Sequence, residues 1–135
     1  MNGYPGASAY LEAKVFGSSR EQLVVLLYER LVALLSRARK EIAEGNIEGK
    51  AQSLDKASAI LFELLSSLDF EAGGELASRL AALYSFFIGE IGEAGRTMQA
   101  ERLDPVITMV RTLYDVWNQA AAALAAGAGK AEAAQ

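Results

Sequence analysis

The stretch from Ser66 to Phe87, Ser-Ser-Leu-Asp-Phe-Glu-Ala-Gly-Gly-Glu-Leu-Ala-Ser-Arg-Leu-Ala-Ala-Leu-Tyr-Ser-Phe-Phe, decides the architecture. Leu61, Leu65 and Leu68 lead into it at steps of four and three, and Leu76, Leu80, Leu83 and Phe87 follow within it at the same steps. That spacing puts each set on one face of a helix. Between them lie an acidic segment and the pair Gly73-Gly74, the chemistry of a tight reversal rather than of a continuing helix. Two amphipathic helices joined this closely must pack side by side and antiparallel.

Working outward, Asn46 is placed to cap the second helix, whose stripe reads Ile47, Ala51, Leu54, Ser58, Leu61, Leu65 and Leu68. The first helix opens with a capping-box pattern, Ser19-Arg20-Glu21-Gln22, and is expected to run to about Glu44, with Gly45 in the left-handed position after it. The third helix, expected to begin near Gly73 or Gly74, continues its stripe through Ile91, Ala94 and Met98. Asp104-Pro105 predicts the start of the fourth, with aspartate as N-cap and proline at the first helical position. Its stripe is Val106, Val110, Leu113, Trp117, Ala120 and Leu124. No strand pattern competes. The expected fold is all-α, an antiparallel up-and-down four-helix bundle over residues 19–124, with a flexible N-terminal arm over 1–18 and a disordered tail over 125–135.

Composition narrows the function. The 135 residues suit one domain, and 52% of them are apolar, above the usual ~45–50%. There is no cysteine and no histidine, which removes thiol nucleophiles, disulfides, imidazole catalysis and the usual zinc ligands. A net charge of −4 lacks the basic face a nucleic-acid partner requires. The longest strongly apolar run, Leu23 to Tyr28, is far short of the ~20 residues that span a bilayer, and the N-terminus lacks the basic and apolar regions of a signal peptide. A soluble cytoplasmic protein that works through a surface is the expectation, with no cofactor and no metal.

The first helix carries the most apolar surface. Leu23, Leu27, Leu31, Leu34 and Ala38 form one stripe, and Val25, Tyr28, Val32 and Leu35 form a second beside it. On the second helix Ala57, Ile60 and Leu64 flank the main stripe, and on the third Tyr84 and Ile88 do the same. A wide core face accounts for this excess; so does a groove for an amphipathic partner segment, or a homodimer contact. Gly89, Gly92 and Gly95 lie within a helical pattern, with no preceding strand and no following Lys-Ser/Thr, so they do not make a phosphate loop. They suit close backbone approach or a loosened helix end. Asp69, Glu71 and Glu75 are read as caps and dipole partners rather than as catalytic or metal-binding groups. Trp117 is read as core, and Tyr10 as an aromatic in a leader that has no core of its own.

Several of these motifs resemble, in order and spacing, the flagellar secretion chaperone family (FliS) across roughly residues 9–118. The opening is Tyr10 and Val15, then Ser18-Ser19-Arg20-Glu21-Gln22-Leu23 and Leu27-Tyr28; Gly17, Ser18 and Arg20 replace the threonine, alanine and proline usual there. The most specific part is the turn Ser67-Leu68-Asp69 with Gly73-Gly74-Glu75-Leu76-Ala77, followed by Leu80 and Leu83-Tyr84. Trp117 is also similar, whereas the three glycines around residue 92 depart from the pattern. The resemblance implies a chaperone that binds the disordered C-terminal segment of flagellin in the cytoplasm, prevents premature polymerisation and assists delivery to the flagellar type III export apparatus. Tyr10, Val15, Leu23, Val25, Tyr28, Val32, Ile60, Leu64, Tyr84 and Ile88 are the candidate client-binding residues. Tyr10 and Val15 would belong to a mobile arm that covers part of the groove.

Overall fold

A computed structural model describes residues 20–134, with side chains as far as 127. Four long helices follow one another: α1 (Arg20–Ala43), α2 (Ile47–Ser66), α3 (Phe70–Thr97) and α4 (Leu103–Ala134), with a single 3-10 turn over Ala100–Arg102 before the last. The described chain is thus an all-α four-helix bundle. Ser19, the expected first cap, and the leader with Tyr10 and Val15 lie outside the described residues.

The local signals act where the sequence places them. Gly45 takes a left-handed φ of 72°, which an L side chain adopts only with strain. Its amide donates to the Ile42 carbonyl at 3.0 Å while the Asn46 amide reaches back to Glu41 at 2.8 Å, a Schellman closure of α1. The Asn46 side chain then accepts the Gly49 amide proton at 2.9 Å and starts α2. At the next reversal one Asp69 carboxylate oxygen accepts the amides of Glu71 and Ala72 at 3.1 and 3.0 Å. The helical turn it caps is interrupted at Gly74 (φ 51°, ψ −125°), so regular α3 begins after that glycine, one turn beyond its cap.

α1 is the central element. It packs along both α2 and α4, and α2 packs on α3; α3 and α4, joined in sequence, meet much less. Because α1 has two neighbours, both of its apolar stripes are used: Val25, Tyr28, Leu31, Leu34, Leu35 and Ala38 are buried. On α2 the buried line is Ser53, Leu54, Ala57, Leu61 and Leu64, rotated from the expected stripe; Ile47 and Ala51 are exposed and Ser58, Leu65 and Leu68 only half-buried. The rotation follows from α2 turning one flank to α1 and the other to α3. On α3 the core residues are Ala77, Leu80, Tyr84, Phe87, Ile91 and Ala94, with Leu76 exposed.

The start of α4 differs from the expectation. The chain enters through the 3-10 turn, and the helix begins at Leu103, one residue before Asp104. The Asp104 carboxylate makes no cap; it receives a two-pronged contact from the Arg39 guanidinium near the end of α1, with one arm at 3.0 Å. Pro105 lies in the first turn, where a missing amide proton costs nothing. At its far end α4 continues to Ala134, past the expected end at Leu124. Alanine has the highest helix propensity, so the alanine-rich sequence sustains the helix although its side chains over 122–127 are exposed.

One buried acid was not foreseen. Glu41 accepts the Ser53 hydroxyl at 2.6 Å, with Arg37 at 3.5 Å, and thereby ties α1 to α2. A Cβ at Gly49 would stand 2.3 Å from a Glu41 carboxylate oxygen, so a larger residue there would have to push that carboxylate aside.

Candidate functional site

The weak meeting of α3 and α4 leaves a seam along one side of the bundle. Its walls follow from helical spacing. On α4, Arg111, Tyr114, Asp115, Asn118 and Ala122 border α1. The other flank of the same helix, some 100–180° away around the axis, carries Met109, Leu113, Val116 and Ala120. On α3, Gly92, Gly95 and Arg96 border α2, and the other flank carries Leu76, Leu83, Phe86 and Glu90. Leu76 is 58% exposed, Phe86 48% and Val116 54%, with Met109 exposed as well. Single exposed apolar residues are unremarkable on a protein surface, but by helical spacing these lie on the sides of α3 and α4 turned away from α2 and α1, and a shared apolar side suits a docking surface. At one end an ion pair from Arg102 in the 3-10 turn to Glu90 on α3, at 3.3 Å, brings the two walls together.

At its other end the seam opens into a cleft of about 350 Å³. Val24 of α1, Leu68, Gly73 and Leu76 of the α2–α3 reversal, and Trp117 of α4 surround it, with Leu64, Leu80 and Tyr84 among its lining. The reversal is held in place by the capped Asp69, by the Ser67 hydroxyl donating to the Leu64 carbonyl at 2.9 Å, and by the Arg20 guanidinium donating to the Ser67 carbonyl. Leu76 belongs to both the cleft and the seam, so the two form one continuous apolar surface.

Beneath the cleft the interior is tightly tied. The Tyr28 and Tyr84 hydroxyls share a hydrogen bond at 2.5 Å, both fully buried or nearly so. Trp117 stands edge-on to Tyr28, ring centroids 5.8 Å apart. Burial raises the Tyr28 phenol strongly, and its bond to Tyr84 adds to this; burial also raises Tyr84, with the same bond partly opposing it. Both are neutral phenols at ordinary pH, each satisfying the other. The floor is therefore built of buried groups that satisfy one another.

The sequence-derived candidates fall into three groups. Val25, Tyr28, Leu64 and Tyr84 are interior side chains, the last two reaching the cleft from below. Leu23, Val32, Ile60 and Ile88 are half-buried; Val32 sits in a shallow hollow with Glu29, Arg111 and Tyr114. Tyr10 and Val15 lie outside the described residues. The motif residues Ser67, Leu68, Asp69 and Gly73 do come together, as the rim of the cleft, with Gly74 making the bend beside them. Leu76, Phe86, Met109 and Val116 were not among the candidates. Glu75 is paired with Arg79 and Asp69 is occupied as a cap, and among the described residues no cluster of acids is placed to hold a metal ion. Among them, too, no helix is long and apolar enough to cross a membrane.

The family described as "Flagellar protein FliS" matches residues 3–124, which takes in both the cleft and the seam. The chain belongs to the FliS family. It is 32% identical over 124 residues to the flagellar secretion chaperone FliS of Escherichia coli K12, covering 88% of this chain and 91% of that one. The flagellar secretion chaperone FliS of Campylobacter jejuni is 30% identical, covering 83% of this chain and 88% of its own. The flagellar secretion chaperone FliSB of Pseudomonas aeruginosa is 31% identical, covering 80% and 86%.

Proposed function

We propose that this chain is a flagellin-specific export chaperone, and that the α3–α4 seam with the motif cleft is where it takes hold of the disordered C-terminal segment of flagellin in the cytoplasm. The observation that carries this reading is the line of exposed apolar side chains, Leu76, Phe86, Met109 and Val116, beside the one incompletely closed helix pair of a FliS-family bundle. An amphipathic segment laid along the seam as a further helix would complete the bundle, with anchors at helical spacing against both walls. The cleft would receive an apolar side chain or a short extended stretch at the end of that helix.

Sequestration follows from the same contact. Apolar groups of the client that lie against the seam are unavailable for filament assembly until the segment is released for export through the flagellar type III apparatus. Coupled folding of such a segment buries roughly 1,000–3,000 Å² and offsets an ordering cost of about 2–5 kcal/mol, which leaves binding reversible. Arg20, the first described residue after the leader that carries Tyr10 and Val15, lines the cleft.

Titration calorimetry with a synthetic flagellin C-terminal peptide tests the reading. Expected are a complex and a negative heat-capacity change, with affinity falling at least about tenfold in Leu76→Ser, a loss of about 1.4 kcal/mol. No binding at tens of micromolar peptide, or full affinity in the variant, removes this surface from the mechanism.

A further inference from the structure

We propose that Arg20 is a positioning residue for client binding: it pins the α2–α3 reversal to α1 and so holds one wall of the cleft in place before the client arrives. The inference rests on the client reading above and adds to it what keeps the site in shape. A cation in the first turn of a helix meets the positive end of the dipole, where an acid is the favourable choice. Arg20 is the first residue of α1 and stands there nevertheless. Its guanidinium turns to another helix and donates to the carbonyl of Ser67, the C-cap of α2. The last carbonyls of a helix lack partners within it and carry the negative end of the dipole, so a charged donor suits them. The arginine is thus misplaced for its own helix and well placed for the next.

The segment it holds is weakly tied to the core. α2 ends at Ser66, and the turn capped by Asp69 is separated from regular α3 by the break at Gly74. From Leu65 to Leu76 every residue is half-buried or exposed. The bonds within the turn are local: the Glu71 and Ala72 amides donate to the Asp69 side chain, and the Gly73 amide donates to the Asp69 carbonyl at 2.7 Å. Such bonds fix the shape of the turn and leave its place on the bundle to longer contacts. Leu68, Ala72 and Gly73 of this segment line the cleft, and so do Glu21 and Val24 of α1. Arg20 spans from the one wall to the other.

The consequence is preorganisation. A wall already in position spares the incoming segment the entropy loss of ordering it. Without the arginine the turn keeps its shape but samples more positions, and the affinity falls, chiefly through faster dissociation. Global stability is left alone, because the contact is exposed and lies outside the core.

Amide hydrogen exchange and calorimetry on the full chain test this together, using Arg20→Met, which keeps a long side chain and loses the donor. The amides of Glu71, Ala72 and Gly73 should exchange at least about threefold faster than in the wild type. Flagellin C-terminal peptide should bind about three- to tenfold more weakly, with the urea midpoint unmoved. Arg20→Lys can still donate to the Ser67 carbonyl and should recover most of both effects. Arg30→Met removes the same charge from an exposed position on α1 outside the cleft lining, and it should change neither. Unchanged exchange in Arg20→Met overturns the proposal, as does unchanged or higher affinity, or a lysine variant no better than methionine. If the wild type itself does not bind the peptide, the client reading falls, and the exchange rates still decide whether Arg20 pins the turn.

Discussion

Phe86 and Phe87 are neighbours in sequence, their ring centroids 6.1 Å apart, yet one is 48% exposed and the other not at all. Phe87 turns into the interior with Tyr84, Leu80 and Ile91, while Phe86 is outside that cluster and half-exposed. The same side-chain chemistry thus serves two ends in adjacent positions. On the closed side of the bundle, where α1 lies between α2 and α4, apolar area is spent on holding the fold. On the open side, between α3 and α4, it is left available. Substitutions should separate the two sides as stability effects against recognition effects.

The largest effect belongs to the closed side. Phe87→Ala removes a fully buried ring and leaves a cavity, so urea denaturation should show a loss of about 3–5 kcal/mol. A loss below about 1 kcal/mol would mean that the interior around α3 is loosely packed, and the contrast with Phe86 would fail.

Next in size is Tyr84→Phe, which leaves the Tyr28 hydroxyl buried without its 2.5 Å partner and should cost about 1–3 kcal/mol. Replacing both tyrosines by phenylalanine should restore part of that, since no polar group is then stranded. The pair also sets a pH dependence. Both phenols ionise less readily in the fold than at their unfolded value of 10.0, so the stabilisation is complete below pH 10 and declines as pH rises above it. Thermal melts of the wild type and the double variant across that range should diverge, with the wild type losing stability more steeply. Parallel curves would show that the hydroxyls are not held as a buried neutral pair.

How much of this could be read from the residues depends on how local each signal is. The reversals at Gly45-Asn46 and at Asp69 rest on caps and on a glycine within a few positions of the bonds they make, and they stand where the sequence puts them. Asp104 looked like another cap, but its partner is Arg39, brought near only by the packing of α1 on α4. Burial phase is less local still. Helical periodicity shows that α2 has apolar residues on two flanks, but not that Ala57 and Leu64 face inward while Ile47 and Ala51 face water. The site suffered most from this. Leu76 and Leu124 lie on stripes with the spacing of a core and are exposed, while Tyr28 and Tyr84, surplus on the same criterion, are the centre of the interior. Periodicity assumes that every pair of neighbours closes equally, and here α3 and α4 do not. The family motif is informative because its residues are contiguous and form the cleft rim together.

The smallest stability effect and the sharpest test of the comparison is Phe86→Ser. Half the ring is already in water, and its loss opens no internal cavity, so the denaturation midpoint should move by no more than about 0.5 kcal/mol, the range of ordinary surface changes. Its consequence should appear in binding instead. Removing an aromatic anchor from the centre of a helix-binding groove typically costs about 2 kcal/mol or more, so the affinity for flagellin C-terminal peptide should fall by a factor of about thirty. The adjacent Phe87→Ala, measured where it is still folded, should change affinity much less than stability. If Phe86→Ser destabilises the bundle as Phe87→Ala does, the seam is part of the core and closes in solution. If it alters neither property, the exposed line along α3 and α4 has no client, and the ring is merely tolerated there.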